Sequence, residues 1–123
     1  MWFCPRCEEH RPATKKISLI ASQVPRVLVI HLRRFNANGE KVQTVVEFPV
    51  SQFHLNCEGT SPSYSLVSII RHHGSSVSRG HYTCVSKCSD MTWREMDDSS
   101  VTTCAPDGSD PDAYILFYKL MNE

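Results

Sequence analysis

Apolar positions along this chain come in short runs broken by turn formers, and few of them recur at helical spacing. Val24 to Phe35 opens with Pro25 and contains Val27-Leu28-Val29-Ile30-His31-Leu32. Its β-branched, nearly continuous apolar character predicts a strand buried on both faces. Asn36-Ala37-Asn38-Gly39 is a turn signal, since Asn-Gly tolerates the positive φ that a tight reversal needs. Val42 to Phe48 then reads as a returning strand stopped by Pro49, so the two should pair as an antiparallel hairpin. Tyr64 to His72 is a further strand, carrying Leu66, Val67, Ile69 and Ile70. His81 to Lys87 and Met91 to Met96 predict another hairpin, and Ala113 to Tyr118 a closing strand. Asn56 to Pro62, Gly74 to Gly80 and Ala105 to Pro111 read as loops by composition. Arg11 to Ile20 is the one candidate helix, weakened by Pro12 and by β-branched residues. The expected architecture is an antiparallel sheet with little helix, which needs something else to bury its second face.

Charge and composition narrow the function classes. The chain has 123 residues, suited to one domain, with thirteen basic and thirteen acidic side chains and a net charge of zero. That balance predicts no nucleic-acid partner, which would show as a basic stripe. No apolar run approaches the span of a bilayer, and Met1 to Pro5 lacks the features of a signal peptide. A soluble protein of the cytoplasm or nucleus is the expectation. The six cysteines then read as free thiols rather than disulfides, and Cys4 and Cys7, with two residues between them, have the spacing of half a metal site.

The chemistry-bearing constellation is a histidine with nearby acids. Gly80-His81-Tyr82-Thr83 precedes, by one hairpin, Trp93-Arg94-Glu95-Met96-Asp97-Asp98. A histidine whose tautomer is set by an acid is two thirds of a nucleophilic relay. Taken alone, His-Tyr-Thr is also ordinary strand sequence, and Asp-Asp-Ser-Ser an ordinary solvated turn.

The order of motifs adds weight to the first reading. Cys4-Pro5-Arg6-Cys7 is followed by Arg11-Pro12-Ala13-Thr14-Lys15-Lys16, and later by a strand ending His31-Leu32-Arg33-Arg34-Phe35. Phe48-Pro49, then Tyr64-Ser65-Leu66 through His72-His73-Gly74 and Gly80-His81-Tyr82 come next. Trp93 with Asp97-Asp98-Ser99-Ser100-Val101, and the closing Ala113-Tyr114-Ile115-Leu116-Phe117-Tyr118, complete the set. In this order, over nearly the whole chain, they resemble the C-terminal half of the catalytic domain of the ubiquitin-specific proteases.

The resemblance implies an α+β papain-like cysteine protease fold, of which this chain is the mostly antiparallel β palm and fingers portion. Residues 1–20 would end the zinc-binding fingers, and residues 21–120 would form the palm sheet with the His and Asp boxes. It implies a deubiquitinating thiol protease that hydrolyses isopeptide bonds after the C-terminal glycine of ubiquitin. His81 is then the general base and Asp97 the acid that orients it. Asp98 assists by holding a water or a backbone group near the oxyanion, or is simply a turn cap. Tyr82, His72 and Phe35 are candidates to line the narrow channel for the ubiquitin tail, although core packing explains Phe35 equally well. Arg33 and Arg34 are expected to be solvated or paired. Cys4 and Cys7 supply half of a structural zinc site. Partners are ubiquitin, ubiquitinated proteins and the N-terminal half of the catalytic domain.

The pattern departs from the family in two respects: one CxxC supplies only two of four zinc ligands, and the nucleophile is missing. The family's nucleophile lies in an Asn-rich box, and none of the six cysteines has that setting. Cys84 is three residues past His81 on the same strand, so it points to the opposite face. This chain alone is therefore expected to be inactive. The competing reading is a catalytically silent ubiquitin-binding module. A metalloenzyme using His72, His73 and His81 is disfavoured, because neighbouring residues on a strand face opposite ways.

Overall fold

Alternating apolar side chains give this chain strands at almost every predicted place, and the computed structural model describes them over residues 1–122. In chain order they are β1 (Trp2–Cys4), β2 (Glu9–Arg11), β3 (Val27–His31), β4 (Val46–Glu47), β5 (Phe53–His54) and β6 (Ser63–Ser76). There follow β7 (Arg79–Lys87), β8 (Trp93–Asp97), β9 (Ser100–Thr103), β10 (Ser109–Asp110) and β11 (Ala113–Leu120). The main sheet runs β3-β11-β6-β7-β8-β9, with β5 added to the start of β6. Two small ladders stand apart from it, β1 with β2 and β4 with β10. No helix is long and apolar enough to cross a membrane.

One face of the sheet carries the core. Tyr64, Leu66 and Ile69 of β6, Val85 of β7 and Leu116 and Tyr118 of β11 are buried there with Phe48. Val46, Val50, Phe53 and Leu55 pack over them from the segment between β3 and β6. Burial pushes the Tyr118 hydroxyl up to about 12, and it donates to the Pro49 carbonyl at 2.8 Å. The register shift between Phe117 and Tyr118 of β11 is what keeps Leu66 and Ile69, three residues apart, on the same face. The opposite face is open: Val27, Val29, Tyr82, Met96 and Val101 are exposed.

Several expectations change. Val27 to His31 is buried on one face only, with Val29 53% exposed, because β3 is an edge strand and its outer face is uncovered. Its partner is β11, not the segment Val42 to Phe48. The Asn36–Gly39 turn does form, with Gly39 at φ 77° and Val42 N–H bonding Arg34 C=O. Beyond it the two arms diverge, and Val46–Glu47 pairs with β10. Pairing with the closing strand buries Leu28 and Ile30 against Tyr118 and Leu116, which a local hairpin could not do. Gly74 to Gly80 is largely strand, joined by Val77 and Ser78 alone. Arg11 to Ile20 forms no helix: Arg11 ends β2, and residues 12–19 have no regular structure. Ala105 to Pro111 is not wholly surface loop, since it includes β10 and the buried Asp110.

Arg34 is the largest revision. It is buried rather than solvated, and its guanidinium donates to four backbone carbonyls: Ala113 at 2.8 Å, Val42 at 3.1 Å, Thr44 at 2.5 Å and Asp110 at 3.1 Å. Buried acceptors left without donors are costly. Arg34→Met is expected to lower the unfolding free energy by about 2–4 kcal/mol, mainly through orphaned carbonyls. Urea titration followed by circular dichroism measures it, and Arg34→Lys should recover only part, since a compact ammonium cannot span four acceptors.

Candidate active site

The β7–β8 hairpin builds the histidine–acid pair. Its register sets Cys84 opposite Met96 and Val85 opposite Glu95. Continued two residues, that register puts Asp97 diagonal to His81 on the same face, within side-chain reach. His81 Nε2–H donates to Asp97 Oδ1 at 2.5 Å, with both side chains about half exposed. The bond holds His81 above the usual histidine value, with the Asp97 charge adding to it and Asp98 contributing less. It occupies Nε2 and leaves Nδ1 as the nitrogen available to a reacting group. Asp98 sits in the turn to β9 at φ 51°. Its carboxylate falls with His81 Nε2 or Nδ1 and Asp97 in a group whose ligand atoms all lie within 4.8 Å of one another.

The other three predicted site residues meet on the opposite face. His72 lies across the ladder from Tyr82, with ring centroids 5.0 Å apart. Phe35 packs edge-on to His72 at 5.1 Å, and Tyr114 closes the cluster against Phe35 at 5.7 Å. Tyr82 is 52% exposed, whereas His72 is 1% exposed and its Nδ1 has no hydrogen-bond partner. Burial first, then the nearby Lys41 and His73, keep His72 below the usual histidine value and so neutral. Gly80 is required for this: a Cβ there would stand 2.1 Å from His72 Nε2. That contact gives the glycine before His81 a steric reason.

A family model described as ubiquitin carboxyl-terminal hydrolase matches residues 2–118. Ubiquitin carboxyl-terminal hydrolase 15 of Homo sapiens is 39% identical over 128 residues, covering 96% of this chain and 13% of that protein. Hydrolase 19 of Homo sapiens is 37% identical over 142 residues, covering 98% of this chain and 10% of that protein. The chain belongs to the ubiquitin carboxyl-terminal hydrolase family. Among solved structures, the SAGA DUB module of Ubp8, Sgf11, Sus1 and Sgf73 bound to monoubiquitin matches with a TM-score of 0.79. The identity is 29%, over 98% of this chain and 28% of that one. The same module bound to ubiquitin aldehyde gives a TM-score of 0.76 at 28% identity, over 98% of this chain and 30% of that one. The β architecture is therefore the sheet portion of the papain-like fold of this family, and the chain spans 13% or less of the curated relatives cited here.

In this ubiquitin carboxyl-terminal hydrolase chain no cysteine stands beside His81 among the described residues. Cys84 is on the opposite face, with its Sγ 3.3 Å from Ser68 Oγ. Cys4 and Cys7 flank the β1–β2 turn, where the backbone N–H groups of Cys7 and Arg6 lower the Cys4 thiol. A thiol predisposed to ionise fits a metal ligand, but no third donor groups with the pair among the described residues. His10 packs edge-on to Phe3 instead.

Sequence reasoning missed a line of polar side chains on the same face as His81. Lys41 Nζ meets Asp112 Oδ1 at 2.7 Å, and Asp112 Oδ2 lies 3.4 Å from His73 Nδ1. His73 Nε2 is 2.9 Å from Thr83 Oγ1, and Thr83 donates to Glu95 Oε1 at 3.1 Å. Arg71 joins Glu95 at 3.1 Å to Asp110 at 2.6 Å. Residues 71 and 73 alternate with His72, and 83 and 95 share the parity of 81 and 97. That strand parity was the available signal.

A pH titration tests the pair. The His81 midpoint is expected above the ordinary 6.5, and Asp97→Asn should bring it back down, read by imidazole nuclear magnetic resonance. The sign follows from linkage. A raised folded value adds stability below the unfolded value, and that stability is lost as pH rises through the folded one.

Proposed function

We propose that this chain supplies the general base and orienting acid of a thiol-dependent ubiquitinyl hydrolase. The observation that carries this is the His81 Nε2–Asp97 Oδ1 bond, which leaves Nδ1 free, in a chain of the ubiquitin carboxyl-terminal hydrolase family. His81 takes the proton of a cysteine thiol contributed by another segment of the catalytic domain. The thiolate attacks the carbonyl carbon of ubiquitin's last glycine, the C–N bond to the next group breaks, and the imidazolium gives its proton to the departing amine. Water then releases the thioester. Asp97 keeps the ring in the useful tautomer and stabilises its cation. Asp98, set in the adjoining turn, assists by holding a water or backbone group near the oxyanion.

Phe35, His72 and Tyr82 are proposed to line the channel for the ubiquitin tail. Their support is the aromatic wall they make on the other face of the strand that carries His81, with Tyr82 exposed on it. The ubiquitin-bound state of the similar Ubp8 modules favours ubiquitin and ubiquitinated proteins as partners. Residues 1–20, with their separate β1–β2 ladder, are assigned to the fingers, and residues 21–120 to the palm. Cys4 and Cys7 would hold structural zinc, completed by two ligands from outside the described group; bound there, the metal would tie the turn together. Free thiols suit a reducing setting, cytoplasmic or nuclear.

Recombination with the matching N-terminal portion of the catalytic domain is the test. Hydrolysis of a ubiquitin C-terminal fluorogenic substrate should appear, His81→Ala should abolish it, and Asp97→Ala should cost less. Cys84→Ser should leave the rate nearly unchanged. Ubiquitin binding without hydrolysis would instead favour the silent binding module. For the metal, the monomeric 123-residue chain should retain well under one zinc per molecule after dialysis against a chelator, by elemental analysis. Stoichiometric retention would contradict the half-site.

A further inference from the structure

His81 has one anchor, and it needs two. Its hydrogen bond to Asp97 fixes Nε2, but the ring is about half exposed and no second side chain hydrogen-bonds it among the described residues. A single bond to a carboxylate leaves the imidazole free to swing about that contact. The backbone beneath it is also near the end of the ladder. His73 pairs with His81, and the β6–β7 register then shifts before Ser76 meets Arg79.

The side chain opposite His81 is held far more firmly. Thr83 donates its only hydroxyl proton to Glu95 Oε1 at 3.1 Å, so His73 Nε2–H is the donor in the 2.9 Å contact with Thr83 Oγ1. Glu95 is itself fixed by Arg71. On the other side, His73 Nδ1 lies 3.4 Å from Asp112 Oδ2, and the second oxygen of Asp112 is held by the buried Lys41 ammonium at 2.7 Å. Lys41 also donates to the His72 carbonyl. Burial alone would raise the Asp112 carboxyl, but the Lys41 hydrogen bond and charge outweigh it and leave it ionised. Thr83 therefore holds the plane of His73 through Nε2, and the Asp112 carboxylate lies beside its Nδ1. The His81 ring stacks against that plane, with 6.3 Å between centroids and 30° between rings.

We propose that His73 is a positioning residue for His81. Held by Thr83 and flanked by Asp112, its ring forms a platform against which the His81 imidazole rests, so that Nε2 stays on Asp97 and Nδ1 keeps one direction. The proposal rests on the reading of His81 as the base, but the ring's order can be measured without any catalysis. A directly opposed cross-strand pair of this kind favours one arrangement of the two side chains, and aromatic contacts of this geometry are worth severalfold in population.

The test uses the 123-residue chain labelled with nitrogen-15 histidine, and reads the solvent exchange of the His81 Nε2 proton. His73→Ala is expected to speed that exchange about threefold to tenfold, with amide dispersion unchanged. His73→Phe keeps an aromatic plane of similar size and should stay close to wild type. Thr83→Val frees His73 on one side, and should move exchange in the same direction as His73→Ala but less far. If His73→Ala also disturbs the amide spectrum, the other two variants carry the decision. Unchanged exchange in Thr83→Val, or His73→Phe as fast as His73→Ala, would overturn the platform. A recombined enzyme indifferent to His81→Ala would instead defeat the base assignment, and would leave this ring measurement standing.

Discussion

Arg34 and Arg71 bring two guanidinium groups against one buried aspartate, and most of the site depends on how that charge is satisfied. Asp110 accepts from Arg71 through Oδ2, from the Asp112 and Ala113 amides through Oδ1, and from Arg34 through its own carbonyl. A buried carboxylate is tolerated only with such a set of donors. Because the donors come from β6, from the segment after β3 and from the start of β11, satisfying them draws three distant pieces of chain together. Burial works against the Arg71 cation, but the bond and charge of Asp110 outweigh it and hold it more firmly protonated than usual. Asp112, two residues on, is thereby set against Lys41 and His73.

From that anchor the two faces of the sheet take different chemistry. The face with the core carries a run of charged and hydroxyl groups ending at the His81–Asp97 pair. The other carries aromatic rings around a neutral, buried His72. Two imidazoles nine residues apart in sequence are thus pushed in opposite directions. Asp97 raises His81, while burial and the Lys41 charge lower His72. One is kept ready to hold a proton at the solvent edge, and the other is kept from holding one inside the wall.

Much of the candidate site was legible in the chain. Gly80-His81-Tyr82 and Asp97 lie on strands short enough that a hairpin must bring them close, with Asp98 in the turn that follows, and strand parity sent Cys84 away from His81. Phe35, His72 and Tyr82 did meet. What escaped was Arg34, expected to be solvated or paired, and His73, weighed only as a metal ligand and disfavoured as one. Both are defined by partners 8 to 79 positions away, and no local pattern points to those.

The sequence by itself determined the strands, because alternation and β-branching act within a few residues of chain. It determined the family too, through motifs whose order survives without coordinates. Only the tertiary structure decided which strands pair and which faces are covered. Val27 to His31 could satisfy its backbone against either the returning segment or the closing strand. It joins β11 because that choice buries Leu28 and Ile30 against Tyr118 and Leu116. Hydrogen bonding is available in either arrangement, so the burial of long-range apolar partners made the choice.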